Sequence, residues 1–164
     1  MTEPESGVRW RDRPRFGLGA GALILDPDDR LLLIEQERFG ERVWTVPGGG
    51  LELGETVEEC ARREVLEEVG LRVTLGRLVA VEQWVTAGGL VGLGLEFLAR
   101  PEPWPQEVVL ADEEDTATFL DHGWVTRAEA LQLPNLWVRD LISDAWPTEL
   151  AAPIFRKHTH FESR

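Results

Sequence analysis

A glycine-rich turn that runs straight into a glutamate-rich helix constrains this chain more than any other feature. Residues 49–71 read GGLELGETVEECARREVLEEVGL. The glycines let backbone carbonyls approach an ion or a ligand closely. Thr56 followed three residues later by Glu59 fits a capping box, and Gly70 stands where a helix stops, so a helix is predicted over 56–69. Val57, Ala61, Val65 and Val69 recur every fourth residue and mark the face that meets a core. On the same helix Glu64 and Glu68 lie about 40° apart, and Glu67 about 60° to the other side of Glu64. Glu68 falls angularly between Val57 and Ala61, and Glu64 beside Val57. Two carboxylates therefore continue the edge of the apolar stripe. A Glu-rich helix is most often a solvated face with salt bridges. Carboxylates packed this closely against a core are unfavourable unless compensated. A hard divalent cation compensates them directly through its oxygen ligands. Arg63 helps too, since Glu59–Arg63 and Arg63–Glu67 are both i,i+4 pairs.

Around this segment the pattern is mostly β. Phe16–Leu25 (FGLGAGALIL) is apolar and reads as a strand buried on both faces. Asp26-Pro27-Asp28-Asp29 is a turn signal, and Arg30–Glu37 reads as the second strand of a hairpin with it. A short strand over Val43–Val46 runs into Pro47-Gly48-Gly49-Gly50. Val73–Thr86 and Leu90–Ala99 flank Ala87-Gly88-Gly89 as another predicted hairpin. Pro101, Pro103 and Pro105 make a stiff connector to an acidic loop at 111–115. A last strand is predicted over Thr118–Val125, then short helices over Arg127–Leu131 and Leu136–Ala145. Hairpins with two or three helices and no regular βαβ alternation indicate a mixed α+β sandwich. The expected organisation is an N-terminal arm at 1–14, one domain at 15–146 and a peripheral C-terminal tail at 147–164.

Charge narrows the partners. The chain has 164 residues, with 17 Lys+Arg against 30 Asp+Glu, for a net charge of −13. That surface repels polyanions, so long nucleic acid and anionic membranes are not expected as partners. A small phosphate compound stays compatible if a divalent cation lies between the two sets of negative charge. Cys60 is the only cysteine, which excludes an intramolecular disulfide and a cysteine-rich zinc site. No apolar run has the length of a membrane span, and residues 1–16 lack a signal peptide's apolar stretch, so a cytoplasmic setting is expected.

The spacing of Gly49, five residues, Glu55, seven residues and then Arg63-Glu64-Val65-Leu66-Glu67-Glu68-Val69-Gly70-Leu71 matches the Nudix box at every defined position. The segment thus resembles Nudix hydrolases of the MutT-like kind. Pro47-Gly48-Gly49 and the strand order extend the likeness over most of residues 16–145. The resemblance implies an α+β Nudix fold, a mixed sheet sandwiched between helices. It also implies hydrolysis of a diphosphate linked to another moiety, with Mg²⁺ (or Mn²⁺) as cofactor. By the same likeness Glu64, Glu67 and Glu68 are the metal ligands, and Gly48 adds its backbone carbonyl. Arg63 orients a glutamate, and Glu55 supports it. The general base is not fixed within the family. Glu67 is the first candidate here and Glu114, in the acidic loop beside Glu113, the second.

The leaving group is less legible. Seven tryptophans against no tyrosine suggest ring stacking on a nucleobase. Trp44, Trp84 and Phe97 are the candidates for substrate contact, with core packing weighed ahead of contact for Trp44. Trp124, Trp137 and Trp146 read as packing residues, and Trp104, among prolines, as a surface ring. His122, His158 and His160 show no metal-like arrangement. Cys60 reads as a small core residue. The region some sixteen residues beyond the box, Thr86-Ala87-Gly88, lacks the proline often seen in ADP-ribose and sugar-nucleotide hydrolases. The expected activity is a pyrophosphohydrolase acting on a nucleoside triphosphate or related small nucleotide. The alternatives are an ADP-ribose or other nucleoside diphosphate-X hydrolase and a non-catalytic, nucleotide-binding regulatory domain. A homodimer stays open, since no surface feature of the sequence decides it.

Overall fold

The computed structural model describes residues 16–38, 40–86, 91–114, 117–143 and 145–161. Among the described residues nine strands and three helices follow one another as β1 (Phe16–Ile24), β2 (Leu31–Arg38), β3 (Glu41–Thr45), β4 (Gly48–Gly50), α1 (Val57–Val69), β5 (Val73–Thr86), β6 (Val91–Pro101), β7 (Glu113–Glu114), β8 (Ala117–Val125), α2 (Arg127–Ala130), α3 (Arg139–Ser143) and β9 (Ile154–Phe161). The strands form a mixed five-stranded sheet, β4-β1-β6-β5-β9, and a four-stranded antiparallel sheet, β3-β2-β8-β7. The fold is α+β.

The first expected hairpin does not form. β1 pairs with β4 and in parallel with β6, whereas β2 pairs with β3 and β8. Among the described residues a single isolated bridge, Leu25 to Leu31, joins their ends. The turn itself is as read: the buried Asp26 carboxylate accepts from the backbone amides of Asp28 and Arg30, each at 2.9 Å. The partner choice was hidden because Leu31–Ile34 is buried on both faces. Leu31 and Leu33 enter one core cluster, and Leu32 and Ile34 another. Such a run carries no alternation from which to choose a neighbour. The β5–β6 hairpin pairs as expected, with bulges between Leu75 and Ala80.

The five-stranded sheet separates two apolar layers. On one face Ala20, Ala22 and Phe97 pack against Cys60, Ala61 and Val65 of α1 or beside them. On the other, Leu23, Val79 and Ala80 pack with Ala130 of α2 and with Leu141 and Ile142 of α3. The helix predicted over 136–145 is shorter than expected and occupies only Arg139–Ser143. Part of the expected C-terminal tail continues the sheet: β9 runs parallel to β5, with Ala80 opposite Ile154. Its side chains gave no strong strand alternation, because β9 is an edge strand with Phe155 largely exposed. The expected N-terminal arm lies outside the described residues. Among the described residues no helix is long and apolar enough to cross a membrane.

Helix α1 ends on Gly70 at φ 70°, with its N–H donating to the Leu66 carbonyl at 3.0 Å. A side chain there is strained in the left-handed region and its Cβ would press on Val109 at 3.3 Å. Gly70→Ala is therefore expected to lower stability by about 1–2 kcal/mol, measured as a urea-unfolding midpoint shift at unchanged m-value.

Candidate active site

Local chemistry positions the helix first. The Thr56 hydroxyl accepts from the Glu59 amide at 3.2 Å, and the Glu59 carboxylate accepts from the Thr56 amide at 2.8 Å. This capping box starts α1 where the sequence placed it. The helix then lies over β4 and β1, so its carboxylates meet the glycine strap at 48–50.

Arg63 is the hub of the site. Its Nε donates to Glu55 Oε1 at 2.6 Å and its Nη2 to Glu55 Oε2 at 3.0 Å. Its Nη1 donates to Glu64 Oε1 at 2.8 Å and to Glu67 Oε2 at 3.0 Å. Its Nη2 also donates to the Gly50 carbonyl at 2.8 Å. One guanidinium thus ties the helix to the strap. These carboxylates, Glu55 foremost, hold the Arg63 proton more firmly than usual. Reciprocally, the Arg63 hydrogen bonds first and the Glu52 amide second keep Glu55 below the ordinary carboxylate range. Glu52 N donates to Glu55 Oε2 at 2.9 Å and closes the turn before the helix.

Glu64 and Glu68 are each only 5% exposed. Glu68 Oε2 accepts from the Gly48 amide at 2.9 Å. Glu67 points outward, its side chain 47% exposed. A Cβ added at Gly49 would collide with all of the Glu64 carboxyl group. The glycine is there to leave a cradle for that carboxylate. Oxygen donors of this kind suit a hard divalent cation. In the structure itself, among the described residues, no three His, Cys, Asp or Glu side chains are grouped closely enough to hold a metal. Arg63 supplies the positive charge among Glu55, Glu64 and Glu67.

The remaining candidates separate. Cys60 is buried, its thiol facing the Gly49 and Gly50 carbonyls at 3.7 and 3.5 Å. Burial pushes its pKa up, as suits a packing residue. Phe97 is buried in the cluster under α1, on the sheet face opposite the Trp84 ring. Trp84 lies over Gly92 and Gly94 of β6, where any Cβ would collide with its ring. Trp44 is half-buried against the far-face core. Its amide donates to the Asn135 carbonyl at 3.1 Å, and its carbonyl accepts from the Trp137 amide at 2.9 Å. Trp104 and Trp124 meet edge to face at 5.7 Å between ring centres, remote in sequence from the box. Glu113 and Glu114 form β7 opposite Thr118 and Ala117; their side chains, and those of His158 and His160, lie outside the described residues. His122 is exposed.

Sequence reasoning missed Glu96. It stands on β6 between two apolar neighbours, and its Oε2 is buried without a hydrogen-bond partner. The signal was a lone charge in the otherwise apolar run VGLGLEFLA. Burial, and secondarily the charge of Glu82, raise its pKa to about 8.

A family model described as the NUDIX domain matches residues 15–146. Among curated relatives, the NAD-capped RNA hydrolase NudC of Mycobacterium tuberculosis is 32% identical over 116 residues, covering 71% of this chain and 34% of that protein. The chain therefore spans about a third of the length of that relative. The oxidized purine nucleoside triphosphate hydrolase of Mus musculus is 31% identical over 129 residues, covering 77% of this chain and 70% of that one. Among solved structures, a MutT protein from Methanosarcina mazei Go1 superposes with a TM-score of 0.66 at 21% identity, over 80% of this chain and 93% of its own. A MutT NUDIX hydrolase from Burkholderia pseudomallei gives 0.64 at 25% identity, over 84% and 99%.

The raised pKa of Glu96 has a definite consequence for stability. Between the unfolded value near 4.5 and the folded value near 8 the native state holds the extra proton. Stability attributable to this group is then full below about pH 4.5 and falls as pH rises toward 8. Glu96→Gln, which cannot ionise, should raise the melting temperature little at pH 4.5 and progressively more up to pH 8.5. Differential scanning calorimetry across that range checks it.

Proposed function

The chain belongs to the Nudix family, and on that footing we propose that residues 15–146 form a metal-dependent pyrophosphohydrolase that cleaves the diphosphate linkage of a nucleoside triphosphate or related small nucleotide. The observation that carries this is the intact carboxylate array on α1. Glu64 and Glu68 are buried against the glycine strap, and Arg63 braces Glu55, Glu64 and Glu67. A purely structural helix has no use for two buried carboxylates beside a cradle kept clear by Gly49.

Glu64, Glu67, Glu68 and the Gly48 carbonyl would hold Mg²⁺ or Mn²⁺. Such an ion neutralises the diphosphate and makes a nearby water more acidic. The chain's own residues do the rest. Arg63 fixes the carboxylates of Glu64 and Glu67 through its two contacts from Nη1, and Glu55 fixes Arg63. Glu67, the most exposed of the three, accepts the proton as water displaces the leaving phosphate. Glu114 is the second candidate for that role. Trp84, and after it Trp44, contact the leaving group, while Phe97 serves the core.

The mouse relative supports the triphosphate reading, because it matches over most of its own length. NudC, matched over a third of its length, keeps a nucleoside diphosphate-X substrate as the second reading. A non-catalytic regulatory domain is disfavoured by the complete set of box glutamates.

A panel of the eight common NTPs and dNTPs, ADP-ribose, NADH, nucleotide sugars and a dinucleoside polyphosphate, each with Mg²⁺ or Mn²⁺, tests the proposal. Pyrophosphate released from a triphosphate is the expected product, and AMP from ADP-ribose would favour the second reading. Outer partners of metal ligands typically contribute 10–100-fold, so Glu68→Gln should lower kcat by about a hundredfold or more with an unchanged melting curve. Near-wild-type activity of that variant would overturn the ligand assignment.

A further inference from the structure

The face of the five-stranded sheet turned away from α1 carries an unusual floor. Gly19 and Gly21 of β1 and Gly92 and Gly94 of β6 lie on it and contribute no side chains. Trp84 of β5 lays its ring over Gly92 and Gly94. Glu96, two residues along β6 from Gly94, stands on the same face. In register it has Gly21 of β1 on one side and Ala80 of β5 on the other.

Four distances define the place. A Cβ on Gly21 would lie 2.5 Å from Glu96 Oε2 and 2.8 Å from the Pro47 carbonyl oxygen. The carboxyl group therefore reaches across β1 toward the residue that precedes Gly48. A Cβ on Gly94 would lie 2.9 Å from the Trp84 ring and 3.8 Å from Glu96 Oε1. The ring and the carboxyl group thus lie side by side over Gly94. Glu96 Oε2 is fully buried and has no hydrogen-bond partner, although the residue as a whole is half-buried. A buried polar atom left unpaired is costly and calls for an explanation.

We propose that Glu96 is a base-reading residue: its carboxyl group completes its hydrogen bonding with the adjacent acceptor and donor on the edge of a substrate nucleobase held beside Trp84. This rests on the reading of the chain as a nucleotide-binding Nudix protein and adds the residue that recognises the part not hydrolysed. The chemistry follows from the protonation state. With its pKa raised to about 8 by burial and by Glu82, the group at neutral pH presents one O–H donor and one carbonyl acceptor side by side. Nucleobases carry the complementary pair, a ring nitrogen next to an amino or carbonyl group. The ring of Trp84, beside the carboxyl group, supplies the stacking surface. Of the elements around the carboxyl group, β5 contributes Glu82 as a charged neighbour. β1 contributes Gly21, and the strap contributes the uncharged Pro47 carbonyl.

The test is equilibrium binding, which does not depend on turnover. Calorimetric titrations with α,β-methylene ATP and GTP, and with methylenediphosphonate as the probe lacking a base, would compare wild type, Glu96→Gln and Glu96→Leu in Mg²⁺. Glu96→Leu is expected to weaken both nucleotide analogues by about tenfold or more and to leave methylenediphosphonate unchanged. Glu96→Gln keeps a donor beside an acceptor and should stay within about threefold of wild type. Wild-type affinity for the analogues should fall above pH 8 as the donor is lost, and the Glu96→Gln profile should stay flat there. Unchanged affinity in Glu96→Leu at an intact melting curve, or equal losses for all three probes, would overturn the proposal. If wild type binds neither analogue yet hydrolyses a diphosphate lacking a base, this inference fails and the hydrolase reading stands. If the analogues bind as expected and the substrate panel shows no turnover, the hydrolase reading fails and this inference stands.

Discussion

One guanidinium holds the site together. Arg63 contacts two carboxylates on its own helix, one in the turn before it and a carbonyl on the glycine strap. Without that charge, Glu55, Glu64 and Glu67 would face one another across a few ångströms, two of them with little solvent to screen them. The contact to Gly50 matters as much as the charge. It locks the strap to the helix, and the strap carries the Gly48 amide that holds Glu68. Positioning of the carboxylates and positioning of the backbone are therefore one problem with one solution.

The sheet beneath serves two purposes at once. Its α1 face carries Ala20, Ala22 and Phe97, and Cys60 and Ala61 of α1 are equally small, so the helix can sit close. Its other face carries no side chain at Gly19, Gly21, Gly92 and Gly94: the Gly49 carbonyl lies over Gly19, Glu96 over Gly21, and Trp84 over Gly92 and Gly94. Alternation along a strand makes this division possible, because neighbouring residues point to opposite faces. Phe97 and Glu96 are adjacent in sequence and belong to different halves of the molecule.

That same alternation explains what could be read in advance. The helix and its cap were legible because Thr56, Glu59 and Gly70 act through contacts three or four residues away. The box carboxylates were legible because their angular positions on a helix follow from spacing alone. Strand partners were not: Leu31–Ile34 is apolar throughout, and its burial on both faces says nothing about which sheet it joins. Phe97 was misplaced as a candidate contact because an aromatic ring on a strand looks the same from either face. Glu96 escaped notice because its meaning depends on Gly21, a strand away and distant in sequence, having no side chain. Interactions that close locally can be derived from order along the chain, and those that close through the sheet require the register.

The pairing of β5 with β9 carries a consequence for how the molecule is made. Ala80 finds its neighbour at Ile154, so the outer flank of β5 has no partner until that late strand arrives. During synthesis the β5–β6 hairpin can close early, because its strands adjoin in sequence. Its exposed flank, with unsatisfied amides and carbonyls, would meanwhile be open to a strand from another nascent chain. Among the described strands β9 is the one that covers this flank, so the edge closes only once residues 154–161 are available to pair.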